Sequence, residues 1–232
     1  MTEKARPSLG NEGHRHRVRE RFLKGGGRDM ADYELLEAYL MIAIPRRDVK
    51  PIAKALIVKF GSFADVINAP QSELLEMEGI GENSVFALKM VSAAAVRMSW
   101  EQLKGADLPV IGNMDMLIDY CRMSMCYQDV EEFRIIYLNS KNQVVDQEIQ
   151  QKGTINHVSI HPREVVKAAL EKKACAVIMV HNHPTGDATP SKADVEVTKN
   201  VKAALESMNI ELHDHVVVSR YGYYSFRDGG LI

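Results

Sequence analysis

The 232-residue sequence predicts an α/β protein, a helical N-terminal domain followed by a mixed-sheet domain with flanking helices. Three observations predict it. Apolar residues recur at three-to-four spacing through the first part of the chain, and no strand candidate appears before residue 105. Helical and β-branched runs then alternate to the end. Between them, Lys104-Gly105-Ala106-Asp107-Leu108-Pro109 breaks the pattern and divides the chain into domains 1–104 and 110–232.

The elements follow in order. Asp32 to Met41 places apolar side chains on one helical face. Pro45 ends that stretch, and Pro51 fits the first turn of a helix over Ile52 to Phe60. Gly61 suits its C-terminal cap. Short and long helices are expected over Ser72–Met77 and Asn83–Trp100, separated by a tight Gly79-Ile80-Gly81 turn. In the second domain Asn113–Met125 reads as helix, and Phe133–Leu138 as a strand. Asn139-Ser140-Lys141-Asn142 turns the chain into an antiparallel partner over Val144–Gln150. Pro162–Lys173 is helical. Ala174–Val180 is an apolar run of buried-strand character. A Pro/Gly/Thr loop leads to a helix over Ser191–Met208, and strands over Leu212–Ser219 and Tyr223–Phe226 close the chain.

Composition narrows the class. Hydrophobic content of 46% and charged content of 26% suit a soluble globular protein. No apolar run reaches the roughly 18–20 residues of a membrane span. The polar N-terminus lacks a secretory apolar core, so a cytoplasmic protein is expected. Cys121, Cys126 and Cys175 are too few for a disulfide framework and are read as reduced thiols. Net charge is −2, unevenly spread. Basic residues crowd the N-terminus, and the second domain is acidic.

The chemistry concentrates at His181-Asn182-His183. Side chains alternate along an extended chain, so the two imidazoles point the same way at a strand end. Such a pair suits a borderline-soft divalent ion such as zinc. After seven intervening residues comes Ser191, then Asp194 one helical turn on. His181, His183 and Asp194 would supply three metal ligands, leaving the fourth position to water. The Ser191 hydroxyl would hydrogen-bond a developing oxyanion. A carboxylate outside the ligand set is needed as general base. Two simpler readings compete: Ser191 and Asp194 also form a helix-capping pair, and His213 and His215 repeat the two-residue spacing beside Asp214, within a strand, either as a structural pair or as groups that support the ligands or face the substrate.

His-x-His, seven residues beginning with Pro, then Ser, two residues, Asp is the signature of JAMM (MPN+) metalloproteases. The text HNHPTGDATPSKADVEVT resembles their bacterial RadC-like (UPF0758) branch. The resemblance covers residues about 110–232; residues 1–104 resemble, more weakly, the helical domain that accompanies it. It implies an MPN fold and one Zn2+ per chain. It also implies hydrolysis of an amide or isopeptide bond in a protein or peptide substrate by a zinc-bound water. A glutamate at the start of a core strand would be the general base. Glu132 is the favoured position, Glu131 would serve after a one-residue slip, and Glu164 is a third choice. The loop His183–Pro190 would edge the substrate groove, with Thr154, Ser159 and His161 as further candidates for its border.

Leu75 to Ser84 resembles a helix-hairpin-helix turn, whose exposed N–H groups suit a DNA phosphate. Glu76, Glu78 and Glu82 would repel it. Arg15, Arg17, Arg19, Arg21 and Lys24 would attract it, or form a solvated tail. The RadC-like resemblance, whose name is associated with DNA repair, together with this turn implies the alternative function: a DNA-binding, repair-associated protein with an accessory metal domain. A metal-free, vestigial MPN module is the third reading, and the intact motif speaks against it.

Overall fold

The computed structural model describes residues 11–106, 109–153 and 160–232. Thr154 and Ser159 lie outside the described residues. The chain forms two compact units, residues 1–93 and 94–232.

The first unit is helical. It comprises α1 (Asn11–Gly25), α2 (Asp32–Ala43), α3 (Lys50–Phe60), α4 (Phe63–Asn68), α5 (Gln71–Leu75) and the start of α6 (Glu82–Gly105). Its core gathers Leu36, Leu40, Ile52, Leu56, Val66, Leu74, Val85 and Leu88. Each such side chain contributes roughly 1.5–3 kcal/mol by leaving water. Pro51 sits in the first turn of α3. Gly61 ends it at φ 105°, its N–H donating to the Ile57 carbonyl. Gly79 has φ 86° and leaves no room for a Cβ, which would sit 2.7 Å from Ile52 Cδ1.

Residues 11–25 are helix rather than a solvated basic tail. Arg15 donates to the carbonyls of Met41, Ile44 and Arg47. Those carbonyls lie at or beyond the end of α2, where backbone acceptors are otherwise unmet. Arg21 grips both oxygens of Glu34 at 2.8 and 3.0 Å.

The second unit is a five-stranded mixed sheet in the order β2-β1-β3-β4-β5. The strands are β1 (Glu131–Leu138), β2 (Val144–Gly153), β3 (Ala176–Asn182), β4 (Glu211–Val218) and β5 (Tyr223–Ser225). Only β3 and β4 pair in parallel. Their crossover is α9 (Lys192–Glu206). One sheet face packs on α7 (Met114–Met125) through Leu117, Tyr120 and Cys121 against Ile136, Ile178 and Val216. The other packs on α8 (Pro162–Glu171) and α9 through Val165, Ala169, Val201 and Leu205 against Phe133, Ile135, Val177 and Met179. This is the helical-then-mixed-sheet α/β architecture that the sequence predicts.

The two compact units divide inside α6, between Ala93 and Ala94. Leu103 is buried in the core of the sheet unit, with Val96 and Trp100 packed against it. The last turns of α6 therefore belong to the second unit. No helix among the described residues is long and apolar enough to cross a membrane.

Candidate metal centre

The site forms where two strands end beside the start of α9. Antiparallel pairing sets Phe133 of β1 opposite His181 of β3. Alternation then sends Glu131 and Phe133 to the face that carries His181, and Glu132 and Arg134 to the other. The Phe133 and His181 rings stack at 5.5 Å.

The structure accordingly brings Glu131, and not Glu132, beside the histidines. Glu132 is buried on the α7 side, 2.5 Å from the Arg134 guanidinium. Arg134 also donates to Tyr120 and Ser124, at 3.0 Å each. Glu131 instead joins His181, His183 and Asp194, with one ligand atom from each lying within 4.8 Å of the others. Its Oε1 is 4.0 Å from His181 Nε2. Glu164 is a part-exposed carboxylate paired with Arg163 at the start of α8. His161 is exposed immediately before that helix.

Asn182 sits between the two histidines and is fully buried. Its Oδ1 accepts from the Glu132 N–H at 2.7 Å, and its Nδ2 donates to the Val130 carbonyl at 3.1 Å. The amide thus clamps the backbone on both sides of Glu131. Its partners lie 50 and 52 residues away, so no local spacing in the sequence marks it.

Ser191 and Asp194 form the capping pair that their spacing allows. The Asp194 N–H donates to Ser191 Oγ at 3.1 Å, and the Ser191 N–H donates to Asp194 Oδ2 at 2.7 Å. This capping box starts α9. It also aims the carboxylate at the imidazoles. Asp194 Oδ1 lies 3.5 Å from His181 Nε2, and Oδ2 lies 3.6 Å from His183 Nε2.

Electrostatics follow from this crowding. Burial alone would raise the Asp194 carboxyl, but interaction with the His181 and His183 imidazoles holds it well below the ordinary carboxylate range. Burial works against charge on His183 too, yet Asp194 and the Asp187 carbonyl raise its pKa. Deep burial, reinforced by His181, pushes His215 well below the ordinary imidazole value. His215 is at the site, its Nε2 2.8 Å from His181 Nδ1. Of the two readings of that pair, His215 has the geometry of the one that supports a ligand residue. His213 is buried, with Nδ1 3.6 Å from the Glu211 carboxylate.

The donor set fits a divalent metal ion. His183 Nδ1 lies 2.8 Å from the Asp187 carbonyl, which can only accept. A neutral His183 thus carries its proton on Nδ1 and turns the Nε2 lone pair inward. The two Nε2 atoms are 3.0 Å apart, with the carboxylate of Asp194 beside both. Two imidazole nitrogens and a carboxylate oxygen around one point are a ligand set for a divalent cation.

The Gly79–Gly81 turn of the first unit is rimmed by exposed Glu76, Glu78 and Glu82. Arg15 and Arg21 are engaged with carbonyls and with Glu34, while Arg17, Arg19 and Lys24 remain exposed on α1.

Comparison with known proteins agrees with this architecture. Residues 111–231 match the RadC-like JAB domain, and residues 12–86 match the UPF0758 N-terminal domain. A UPF0758 protein of Rhodobacter capsulatus is 46% identical over 93% of this chain and all of its own length. One from Ruegeria pomeroyi is 44% identical over 94% of this chain and 97% of its own.

Proposed function

The chain belongs to the UPF0758 family, with a RadC-like JAB domain, and from that premise we propose that it is a zinc-dependent hydrolase of the JAMM type. The bond cut is an amide or isopeptide bond of a protein or peptide. The observation that carries this reading is the convergence of Glu131, His181, His183 and Asp194. His181, His183 and Asp194 hold one Zn2+, which supplies a Lewis acid able to polarise a carbonyl and acidify a water.

The remaining chemistry falls to the chain's own groups. Glu131 is the general base, taking a proton from the attacking water and delivering it to the leaving amine. Its part-exposed carboxylate lies at the mouth of the cluster, within reach of solvent and substrate. Ser191 Oγ accepts from the Asp194 N–H and keeps its own proton to donate to the developing oxyanion. The loop His183–Pro190 borders the groove. Gly186 adopts φ 90° there, and the exposed Tyr221 ring lies 3.0 Å from where its Cβ would stand.

Metal analysis of the full chain tests the site, and terminal proteomics tests the reaction. One zinc per chain is expected, lost in His181→Ala and Asp194→Ala. New protein termini or released isopeptide-linked products should depend on wild-type protein and vanish with Glu131→Gln. A native protein without metal would sink the reading.

A further inference from the structure

We propose that Thr198 and His215 are positioning residues that fix the tautomer of His181, so that its Nε2 lone pair faces the metal site. The inference rests on the metal reading above and adds how the more deeply buried ligand is prepared for it.

Hydrogen-bond accounting carries the argument. Thr198 Oγ1 has one proton and two close partners. The Asp194 carbonyl, at 2.5 Å, can only accept. The Thr198 proton therefore goes to that carbonyl, one helical turn back in α9. His215 Nδ1 lies 2.6 Å from the same hydroxyl oxygen. With the hydroxyl proton already committed, Nδ1 must be the donor and Oγ1 the acceptor.

His215 is fully buried, with the Phe226 ring at 4.4 Å and the Phe133 ring at 5.4 Å. Such surroundings favour the neutral imidazole, which carries a single proton. That proton is on Nδ1, so Nε2 is left as an acceptor. His181 Nδ1, 2.8 Å away, donates to it. Neutral His181 then has its lone pair on Nε2, the atom beside His183 and Asp194.

The two histidines thus reach the same tautomer by different routes. His183 donates directly to the Asp187 carbonyl. His181 is buried in the sheet and reaches a carbonyl through two intermediaries. The last carbonyl in the chain belongs to Asp194, the third ligand residue. One residue therefore contributes its carboxylate to the cluster and its backbone oxygen to the end of the relay. His215 comes from β4 and Thr198 from α9. The parallel β3–β4 pairing places Met179 beside His215, next to His181 on the same sheet face.

The test uses the full chain labelled with 15N-histidine. Long-range nitrogen–proton NMR at neutral pH reads each tautomer, and zinc affinity is measured by competition with a chromophoric chelator. His181 and His215 should both show the Nδ1–H form before zinc is added. Thr198→Val removes the acceptor and should move His181 toward Nε2–H. It should also weaken zinc binding by about 10–100-fold, the usual effect of losing such a partner. Thr198→Ser should restore both readouts. An Nε2–H tautomer of His181 in the metal-free wild type overturns the proposal, as does wild-type zinc affinity in folded Thr198→Val. If the wild type shows the Nδ1–H forms yet binds no zinc, the relay stands and the metal reading falls.

Discussion

Glu131 and Glu132 are adjacent, carry the same charge and differ in almost every consequence of mutation. Glu131 ends among the imidazoles, while Glu132 is 1% exposed against Arg134. Glu131→Gln should leave stability and zinc content near wild type. It should lower turnover by roughly 10²-fold or more, the scale of a lost general base. Glu132→Gln should behave in the opposite way. It leaves the Arg134 charge buried without its carboxylate, a loss of about 3–5 kcal/mol. Urea unfolding with zinc analysis separates the two variants. A Glu132→Gln protein of wild-type stability, or a Glu131→Gln protein with wild-type turnover, would return the roles to the assignment expected from the sequence. Neutral glutamine nearly preserves shape, so either outcome reports on charge.

At the scale of elements, Lys172 follows α8 and ties it to β2 through the Asp146 carboxylate, 2.8 Å away. Partial burial would raise the Asp146 carboxyl, but Lys172 and the Gln147 N–H outweigh it and lower its pKa. Folding thus favours the ionised form. The stabilisation is complete above the unfolded value near ~3.9 and is lost as pH falls through the folded value. Both side chains are part-exposed, so the contribution is below about 1 kcal/mol. Asp146→Asn should show that deficit in denaturant melts at neutral pH and converge with wild type in strong acid. A deficit that persists in acid would mean lost packing rather than lost charge. The same distinction between local and distant partners explains what the sequence made legible. Strands, caps and the Ser191–Asp194 pair depend on neighbours a few residues away, and their spacing revealed them. By contrast, α1 has few apolar residues to mark a face, and its anchors Arg15 and Arg21 act on α2 and Glu34. The phase of β1 is set by pairing with β3, which placed Glu131 rather than Glu132 at the site. Thr198, His215 and Asn182 gain their partners only through that sheet.

At the scale of the whole molecule, the two units carry different chemistry. The metal cluster lies wholly in the second unit, and the helix-hairpin-helix-like turn wholly in the first. The acidic rim of that turn opposes a phosphate backbone, and two of the five expected basic contacts are engaged internally. DNA retention by the full chain should therefore be weak at low salt and absent near 0.15 M. Tight, salt-resistant binding would revive the repair-associated reading. Zinc should also divide the molecule. A ligand that binds only the folded state stabilises whatever must unfold to release it, by about 2.7 kcal/mol at a hundredfold excess over Kd. The proposed ligands lie on β3, the following loop and α9, with Glu131 on β1. Hydrogen exchange followed with and without zinc should slow at the amides of β1, β3, β4 and the first turns of α9. Amides of α2 to α5 open without disturbing the cluster and should exchange at unchanged rates. Helix α6 supplies residues to both units, so its later turns, where Trp100 and Leu103 pack on the sheet core, should follow the zinc-sensitive group. Equal protection of α2 to α5 would show that the two units unfold as one.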